Sequence, residues 1–586
     1  MARQLEPFPN LVSMFLTRAA ENGDRPFLWA KRDGEWRATS WREAARQVAA
    51  LATSLKRIGL QRGDRVMLVS ENRPEWLMAD LGIMAAGCVT VPTYTTNTTR
   101  DHTHILGNSG AKAVIVSNPK LAKPLVPAVL FSSECHHLIG LEKIRTGQST
   151  EEVNYHDWAD LVAGTPDMPA LERSLEAVTR DDVACIIYTS GTGGAPRGVQ
   201  QHHGAILHNA AGCVDIIATD FTWDDEVFLS FLPASHAYEH SGGQYFPIAL
   251  GAQIYFAESL EKLSANIEEV RPTLMVVVPR LFEMLRARIL KAVAHGGLGD
   301  YLLKRALAIG ASRYEGRFKP WNLPMEGILA LTLKRKVARR FGGRIKAMVS
   351  GGAPLNPEVG LFFHSLGLVV LQGYGQTESG PVISCNRPRA GVRMDTVGPP
   401  LKDTEVRIAD DGEIMVRGEN VMHGYWRAPE ETARVLIPSA DGKGPWLATG
   451  DVGHIDDKGR IVITDRKKDL IVNDKGDNVS PQRVEGMLTL QPEIAQAMVY
   501  GDRRPYLVAL LVPDAEIAQL PDMEQRLRAA LDRVNSELSV IERVRRFIVA
   551  DEPFSIDNEQ LTPSMKIRRH VLKAAYSDRL NALYKK

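Results

Sequence analysis

A glycine-rich loop after an apolar run contains the residues whose chemistry is easiest to interpret. Residues 186–199 pass from apolar side chains into hydroxyl side chains, glycines and one cation, Arg197. Glycines let backbone N–H groups face a ligand without a Cβ in the way, and hydroxyls add donors. The guanidinium supplies positive charge for phosphate oxygens. The loop therefore predicts polyphosphate binding, which explains these side chains better than a plain glycine-rich turn does.

The loop is not a common P-loop, because no Gly-Lys-Ser/Thr follows at the required spacing. Residues 188–198, Tyr-Thr-Ser-Gly-Thr-Gly-Gly-Ala-Pro-Arg-Gly, instead resemble the signature of the adenylate-forming (AMP-binding) superfamily. The usual family loop has Thr at Gly193 and Lys at Arg197, and Arg keeps the charge but changes the donor geometry. The resemblance implies that ATP is bound by the loop residues Thr189, Ser190, Gly191, Thr192, Gly193 and Gly194.

Other segments resemble the remaining sequence blocks of the superfamily and follow in the same order along nearly the whole chain. They imply further nucleotide-binding residues: Gly352, Ala353, Pro354, Gln372, Tyr374, Gly375, Thr377, Asp451 and Arg466. In the family, the aromatic ring at Tyr374 stacks on adenine, Thr377 reaches the α-phosphate, and Asp451 accepts hydrogen bonds from both ribose hydroxyls. The remaining implied positions are His236 and Tyr238 at the acyl pocket, Gly476 at coenzyme A, and Lys467 and Lys468 at a hinge.

The implied reaction brings together two anions, a carboxylate and the α-phosphate of ATP, so the site must neutralise charge and hold the reactants in line. The predicted catalytic residues are Lys566, Thr189, Glu378 and Arg197. A carboxylate beside a phosphate loop would repel ATP without a cation between them, so Glu378 is the predicted Mg²⁺ ligand. The acyl-adenylate is a mixed anhydride, and the thiol of coenzyme A can displace AMP from it without a protein nucleophile. No Gly-x-Ser-x-Gly segment suggests such a nucleophile.

The acid is predicted from a narrower resemblance. Residues 278–283 and the helical insert after them are more similar to long-chain fatty acyl-CoA synthetases than to members that activate acetate or aryl acids. The prediction is therefore an AMP-forming ligase that uses ATP, Mg²⁺ and coenzyme A to activate a long-chain fatty acid. Two alternatives stay open: a fatty acyl-AMP ligase that delivers to a carrier protein, and a non-catalytic homologue that binds acyl groups or nucleotide.

Strands that alternate with helices must position these residues, which predicts an α/β fold with largely parallel sheets. Ser40 is predicted to cap a helix over residues 40–60, and strands are expected to end at 189, 350 and 371. From about residue 391, turn-rich β segments suggest a barrel-like part. The predicted division is an N-terminal domain over 1–465, a hinge over 466–470, and a mobile α+β C-terminal lid over 471–586.

Composition sets limits on the function. Lys plus Arg total 71 and Asp plus Glu total 70, so charge gives no reason to propose a nucleic acid partner. Five scattered cysteines suit a reducing compartment. The adjacent histidines His202 and His203 are expected to be polar loop residues rather than metal ligands.

The location is predicted from what the sequence lacks. The N-terminal residues do not resemble a signal peptide, and no apolar run approaches the ~20 residues of a membrane span, so a cytoplasmic protein is expected. Basic helices over 304–346 are expected to be solvated, with peripheral contact to the inner membrane face as the minority interpretation. A homodimer stays open.

Overall fold

The fold is known from a computed structural model that describes residues 4–144, 153–189, 196–293, 296–475, 477–555, 558–561 and 567–585. Strands up to residue 202 are β1 (Pro26–Arg32), β2 (Glu35–Ser40), β3 (Arg65–Val69), β4 (Val89–Thr93), β5 (Ala111–Val116), β6 (His137–Gly140), β7 (Asn154–Asp157), β8 (Val183–Thr189) and β9 (Arg197–His202). They are followed by β10 (Val227–Ser230), β11 (Gln253–Phe256), β12 (Leu274–Val277), β13 (Ala347–Ser350), β14 (Val370–Gly375) and β15 (Val382–Cys385).

The later strands are shorter or lie in smaller sheets. Before the predicted hinge they are β16 (Glu405–Ile408), β17 (Glu413–Arg417), β18 (Gly424–Tyr425), β19 (Leu436–Ile437), β20 (Trp446–Ile455) and β21 (Ile461–Arg466). After it come β22 (Ile471–Val472), β23 (Asn478–Val479), β24 (Ile494–Tyr500), β25 (Leu507–Pro513) and β26 (Val544–Val549).

Helices lie between most of these strands. In the first half they are α1 (Leu11–Asn22), α2 (Trp41–Arg57), α3 (Pro74–Ala85), α4 (Thr99–Ser109), α5 (Pro119–Leu130), α6 (Trp158–Ala163), α7 (Met168–Glu176), α8 (His203–Asp220), α9 (Ala237–Glu239), α10 (Phe246–Leu250), α11 (Leu263–Val270) and α12 (Pro279–Val293). The others are α13 (Leu298–Tyr314), α14 (Leu323–Leu329), α15 (Arg335–Arg340), α16 (Pro357–Ser365), α17 (Pro429–Val435), α18 (Pro481–Thr489), α19 (Met523–Glu537) and α20 (Arg569–Ala582).

In the described part of the chain, two large sheets, two smaller ones and the two-stranded pair β22-β23 organise these elements. The first sheet has the order β18-β9-β8-β4-β3-β5-β6-β7, and the second has the order β15-β14-β13-β12-β10-β11-β1-β2. The third has the order β16-β17-β20-β19 with β21 on β20, and the fourth is β24-β25-β26. The centres of both large sheets are parallel, as in the pairing of β12 with β13 and of β3 with β4. The predicted α/β class is therefore confirmed.

The main apolar core lies between the two large sheets. Helices α1, α2, α3, α8 and α10 contribute to it together with strands of both sheets, and Phe15, Trp41 and Trp76 are almost fully buried there. Ser40 caps α2 as predicted, because its hydroxyl accepts a hydrogen bond from the Glu43 N–H at 3.2 Å. Burial of this size fixes the relative position of the sheet edges that carry the candidate site.

Two predictions about local structure are wrong. His202 and His203 are not loop residues: His202 ends β9 and caps α8, while His203 begins α8, and both are buried. Burial lowers the pKa of His203 to about 4, so this ring is neutral at physiological pH. The strand expected to end at Leu371 continues to Gly375, which places Gln372 and Tyr374 within β14.

No helix in the described part of the chain is long and apolar enough to cross a membrane.

Candidate active site

The candidate site begins at the end of the β8–β9 hairpin where the two strands are connected. Thr189 is the last residue of β8 and pairs with Arg197, the first residue of β9. The antiparallel register therefore places the two residues that flank the glycine-rich segment side by side. Five of the predicted loop residues lie outside the described residues: Ser190, Gly191, Thr192, Gly193 and Gly194.

A short 3₁₀ helix, Thr377–Ser379, brings the predicted metal-binding carboxylate to this hairpin. The Gln201 side chain of β9 donates a hydrogen bond to the Thr377 carbonyl at 2.7 Å, which joins the two large sheets. Gly375 precedes the helix, and a Cβ there would lie 1.8 Å from the Pro381 carbonyl oxygen. Only glycine therefore allows this close approach, which fixes the position of the helix that carries Glu378.

Glu378 and Arg197 contact the same aromatic side chain. The Tyr425 hydroxyl donates to Glu378 Oε1 at 2.8 Å, and the Arg197 guanidinium lies 4.4 Å from the centre of the Tyr425 ring. Burial, together with the nearby Glu378 carboxylate, raises the pKa of Tyr425, so its hydroxyl stays protonated and remains a donor. A cation and a carboxylate from different sheets are thereby held on one side of the hairpin.

A second carboxylate, Asp451, lies in a polar cluster on the third sheet. It pairs with Arg466 across β20 and β21, and the Arg466 side chain donates to its Oδ1 at 3.2 Å. The Tyr374 hydroxyl donates to Asp451 Oδ2 at 2.7 Å. Burial and the adjacent Asp451 raise the pKa of Tyr374 well above its ordinary value. Burial opposes the charge of Arg466, but the Asp451 and Asp469 carboxylates raise the pKa of this guanidinium on balance.

The segment after β13 forms another part of the same edge. Gly352, Ala353 and Pro354 are exposed, and Gly352 has a φ of +80°, which favours glycine. Gln372 differs from them, because its buried side-chain amide donates to the Met394 carbonyl at 2.6 Å and thus fixes a neighbouring loop. The predicted role of the Gln372 side chain at nucleotide stays a prediction.

The predicted acyl-pocket residues lie directly behind this segment. The Tyr238 ring packs so closely on Gly351 that a Cβ there would lie 2.7 Å away, and its hydroxyl donates to the Val349 carbonyl at 2.8 Å. His236 Nδ1 accepts from the Tyr238 N–H at 3.2 Å. The next residue, Glu239, is fully buried with the Ser230 hydroxyl at 2.5 Å, and burial raises its pKa to about 8. This carboxyl is therefore largely neutral at pH 7.

The predicted hinge follows β21 directly. Lys467 forms ion pairs with Asp411 at 2.5 Å and Glu413 at 3.0 Å, and Lys468 is exposed. Gly476 and Lys566 lie outside the described residues. The structure thus joins Thr189, Arg197 and Glu378 around Tyr425, and it joins Tyr374, Asp451 and Arg466 in a second cluster.

Tyr425 is the residue at this site that the sequence did not single out. Its segment lies among turn-rich β residues, and no spacing relates it to Glu378, which is 47 positions away. Its only signal is the aromatic pair Tyr425 and Trp426 after Gly424. That signal becomes informative only when β18 is seen to pair with β9.

One part of the site has a cation, Arg197, a carboxylate, Glu378, and the exposed backbone of residues 352–354. The other part has the buried Asp451 with Tyr374 and Arg466. Among the described residues, no group of three or more His, Cys, Asp or Glu could hold a metal ion by itself. A cation at Glu378 would therefore need oxygens from a ligand, as Mg²⁺ commonly takes from phosphates.

Comparison with known proteins finds family matches over most of the chain. Residues 15–426 match the AMP-binding enzyme family, and residues 468–586 match the AMP-binding enzyme C-terminal domain. The long-chain-fatty-acid–CoA ligase FadD15 of Mycobacterium tuberculosis is 31% identical, over 98% of this chain and 97% of the relative. The long-chain-fatty-acid–[acyl-carrier-protein] ligase AEE15 of Arabidopsis thaliana is 29% identical, over 93% of this chain and 82% of the relative.

A solved structure shares the fold. The adenylation domain of a carboxylic acid reductase from Segniliparus rugosus, in complex with AMP and a co-purified carboxylic acid, has a TM-score of 0.76 and 22% identity. The match covers 98% of this chain and 94% of that chain. Together with the family matches over both parts of the sequence, these similarities establish that the chain belongs to the AMP-binding enzyme family.

Proposed function

We propose that this protein activates a long-chain fatty acid with ATP, releases pyrophosphate, and passes the acyl group from the acyl-adenylate to coenzyme A. The observation that carries the proposal is a pair of charged clusters, Arg197 with Glu378 and Asp451 with Arg466, which the short stretch from Tyr374 to Glu378 connects. The near full-length relative named a long-chain-fatty-acid–CoA ligase supports the substrate class.

The two clusters suit the two ends of a nucleotide. Asp451 keeps acceptor capacity beside Tyr374 and Arg466, which fits the hydroxyls of a ribose. Arg197 begins the strand after the glycine-rich loop, which fits the phosphates. We assign Thr189 and Thr377 to phosphate contacts, and Gly352, Ala353 and Pro354 to the border of the adenine site.

Glu378 fits a Mg²⁺ ion that is shared with the phosphates. Among the described residues, Tyr425 donates to Oε1 of Glu378, so the other carboxylate oxygen is available to a hard cation. When bound, Mg²⁺ supplies positive charge that offsets the phosphates. The 3₁₀ helix holds Glu378 so that its carboxylate and the Arg197 guanidinium contact the same side chain, Tyr425.

The chain's own residues supply the rest of the charge compensation. Arg197 and Lys566 offset the negative charge as the substrate carboxylate approaches the α-phosphorus, and pyrophosphate leaves. In the second step the thiolate of coenzyme A attacks the acyl carbon, the bond to AMP breaks, and AMP departs with its electron pair. Protein thiols are poor candidates for an intermediate, because burial raises the pKa of Cys88, Cys135 and Cys213 to about 12.

Substrate and acceptor can be tested together. Purified protein would be given ATP, Mg²⁺ and saturated carboxylic acids of graded length, with free coenzyme A or with a phosphopantetheinylated carrier protein. We expect pyrophosphate release and an acyl-CoA mass for long-chain acids, and little product from acetate. Pyrophosphate release with thioester only on the carrier would support a ligase of the second kind. Nucleotide binding without pyrophosphate release at any chain length would contradict catalysis.

We also propose that residues 471–586 act as a mobile lid on residues 1–465, with 466–470 as the hinge. Two separate family matches, which end at 426 and begin at 468, support this division. The lysine pair at the hinge agrees with it, because both lysines are exposed and Lys467 anchors the start of the hinge through Asp411 and Glu413.

A cytoplasmic location with peripheral contact to an anionic membrane is a further proposal, and it rests on the surface formed by residues 298–340. Exposed apolar side chains there include Leu298, Trp321, Leu323 and Leu331. The Lys319 ammonium lies 5.1 Å from the Trp321 ring, and the exposed cations Arg335, Lys336, Arg339 and Arg340 lie nearby in sequence. Apolar side chains flanked by cations suit an anionic lipid surface.

Liposome co-sedimentation tests this contact. We expect the protein to sediment with vesicles that contain phosphatidylglycerol and much less with pure phosphatidylcholine. A Trp321→Ala, Leu323→Ala double variant should lose the binding, whereas the matched control Phe131→Ala, an exposed aromatic residue elsewhere, should keep it. Equal recovery in the supernatant with both lipids would contradict the contact.

A further inference from the structure

Tyr425 connects the two charged groups that the proposed function places at the triphosphate. Its ring lies under the Arg197 guanidinium at 4.4 Å, and its hydroxyl donates to Glu378 Oε1 at 2.8 Å. Only 5% of Tyr425 is exposed. One side chain thus fixes the relative positions of a cation on the first sheet, Arg197, and a carboxylate that follows β14 of the second sheet, Glu378.

The backbone fixes Tyr425 before any ligand binds. Strand β18 pairs antiparallel with β9, so that Tyr425 lies opposite Val199 and Gly424 lies opposite Gln200. The Thr432 hydroxyl accepts from the Tyr425 N–H at 2.9 Å. Gly424 has a φ of +135°, and a Cβ there would lie 2.6 Å from the Thr432 methyl carbon, so the close turn requires glycine.

The same segment also holds the helix that carries Glu378. The Met422 N–H donates to the Glu378 carbonyl at 2.9 Å, and the Asn420 amide donates to the Ser379 carbonyl at 3.3 Å. Residues 420–425 therefore form hydrogen bonds with both the backbone and the carboxylate of Glu378. A tyrosine that served only to fill space would not need its hydroxyl directed at a carboxylate.

We propose that Tyr425 is a positioning residue for metal and phosphate binding: its hydroxyl orients the Glu378 carboxylate toward the cation, and its ring holds the Arg197 guanidinium over its face. The proposal rests on the proposed function. Its hydroxyl donates a hydrogen bond to one oxygen of Glu378, and the other oxygen is the one that would bind the metal. Its ring restricts the movement of the Arg197 side chain. Arg rather than Lys at position 197 suits this arrangement, because a planar guanidinium stacks on an aromatic face.

The test separates the hydroxyl from the ring. Mn²⁺ would be titrated into protein with α,β-methylene-ATP, which cannot be cleaved at the α,β position, and free Mn²⁺ measured by electron paramagnetic resonance. We expect Tyr425→Phe to weaken Mn²⁺ binding by about tenfold, as for other groups that orient a metal ligand. It should leave metal-free nucleotide affinity within about twofold, because the ring still holds Arg197. Tyr425→Leu should weaken both.

Tyr245→Phe is the matched control, because it removes a buried phenol that donates to a carboxylate, Asp80, at 2.6 Å. We expect it to bind Mn²⁺ and nucleotide as the unaltered protein does. Thioester formation from supplied acyl-AMP should also be unchanged in Tyr425→Phe, since that step needs no triphosphate.

Unaltered Mn²⁺ binding in Tyr425→Phe would overturn the inference, and so would an equal loss in Tyr245→Phe. A Glu378→Ala variant distinguishes failure of the positioning role from failure of the metal site. If Glu378→Ala loses Mn²⁺ and Tyr425→Phe does not, the positioning role alone fails. If neither the unaltered protein nor any variant binds Mn²⁺ with the nucleotide, the metal site of the proposed function fails as well.

Discussion

At the scale of single residues, Glu378 is the group from which the sharpest consequences follow. Its carboxylate accepts a hydrogen bond from the Tyr425 phenol, and the Arg197 guanidinium lies over the ring of that same side chain. A carboxylate so close to the predicted phosphate loop is tolerable during catalysis only when a cation offsets the repulsion. Its removal should therefore change the metal requirement more than it changes the fold.

We expect Glu378→Ala to raise the Mg²⁺ concentration for half-maximal pyrophosphate release by at least about tenfold, because the ion loses its protein oxygen. A Mg²⁺ titration at fixed ATP and fatty acid measures this. Glu172→Ala, which removes an exposed carboxylate of α7, is the control and should leave the titration unchanged. An unaltered curve for Glu378→Ala would remove Glu378 from the metal site.

Glu239 predicts a pH dependence of stability. Its pKa is about 8 in the folded protein against an ordinary 4.5, because burial disfavours the charged form. Between these values the folded state holds a proton that the unfolded state has lost, so this group's contribution to stability falls as pH rises from about 4.5 to about 8. Glu239→Gln keeps the shape and cannot ionise. Thermal unfolding from pH 5 to pH 8 should show the variant gaining stability relative to the unaltered protein, and a constant difference would contradict the assignment.

At the scale of elements, the Thr377–Ser379 helix depends on the close passage of two backbone segments. Strand β14 ends at Gly375, where the Pro381 carbonyl leaves no room for a side chain. The strand therefore positions Tyr374 toward Asp451 and the helix positions Glu378 toward Tyr425, from one continuous stretch. Both ends of the candidate nucleotide site depend on this stretch.

We expect Gly375→Ala to destabilise the protein by about 1–3 kcal/mol, because the methyl group overpacks the contact and displaces the helix. Adenylation should fall more than this loss of stability explains. Gly327→Ala is the control: nothing lies within 4 Å of its added Cβ, and Ala is the better helix residue, so stability should stay equal or rise. Differential scanning calorimetry and pyrophosphate release measure the two effects. Equal behaviour of the two variants would contradict the steric argument.

At the scale of the whole molecule, the proposed reaction needs groups from both parts of the chain. Arg466 lies at the end of β21, immediately before the proposed hinge, and contacts Asp451. Lys566 is 100 positions later in the sequence, beyond the fourth sheet. A lysine carried by a mobile lid can serve one half-reaction and be withdrawn from the other.

We therefore expect Lys566→Ala to lower adenylation, measured as pyrophosphate release, by at least about a hundredfold, because one charge-stabilising group is lost. Thioester formation from supplied acyl-AMP and coenzyme A should be within about threefold of the unaltered protein, since the proposed lid withdraws Lys566 from the site in this step. Lys573→Ala, another lysine of the same region, is the control and should change neither step. Equal losses in both half-reactions would contradict a lid with two positions.

The sequence by itself determined the fold class, the family and the order of the functional segments, because these depend on local features. The capped helix after Ser40 and the strand ending at Thr189 follow from periodicity and side-chain type within a few residues. The glycine-rich loop indicated phosphate chemistry for the same reason. The prediction that His202 and His203 are loop residues was wrong, because their burial comes from packing against elements distant in sequence.

The tertiary structure alone decided which of these segments meet. Tyr425 joins Arg197 to Glu378 only because β18 pairs with β9, and Tyr374 reaches Asp451 only because the second and third sheets adjoin. Contacts between residues so far apart in sequence follow from sheet order and core packing, which leave no periodic or compositional trace along the chain. The chemistry of the site could thus be predicted from residue types, whereas its geometry came from the fold.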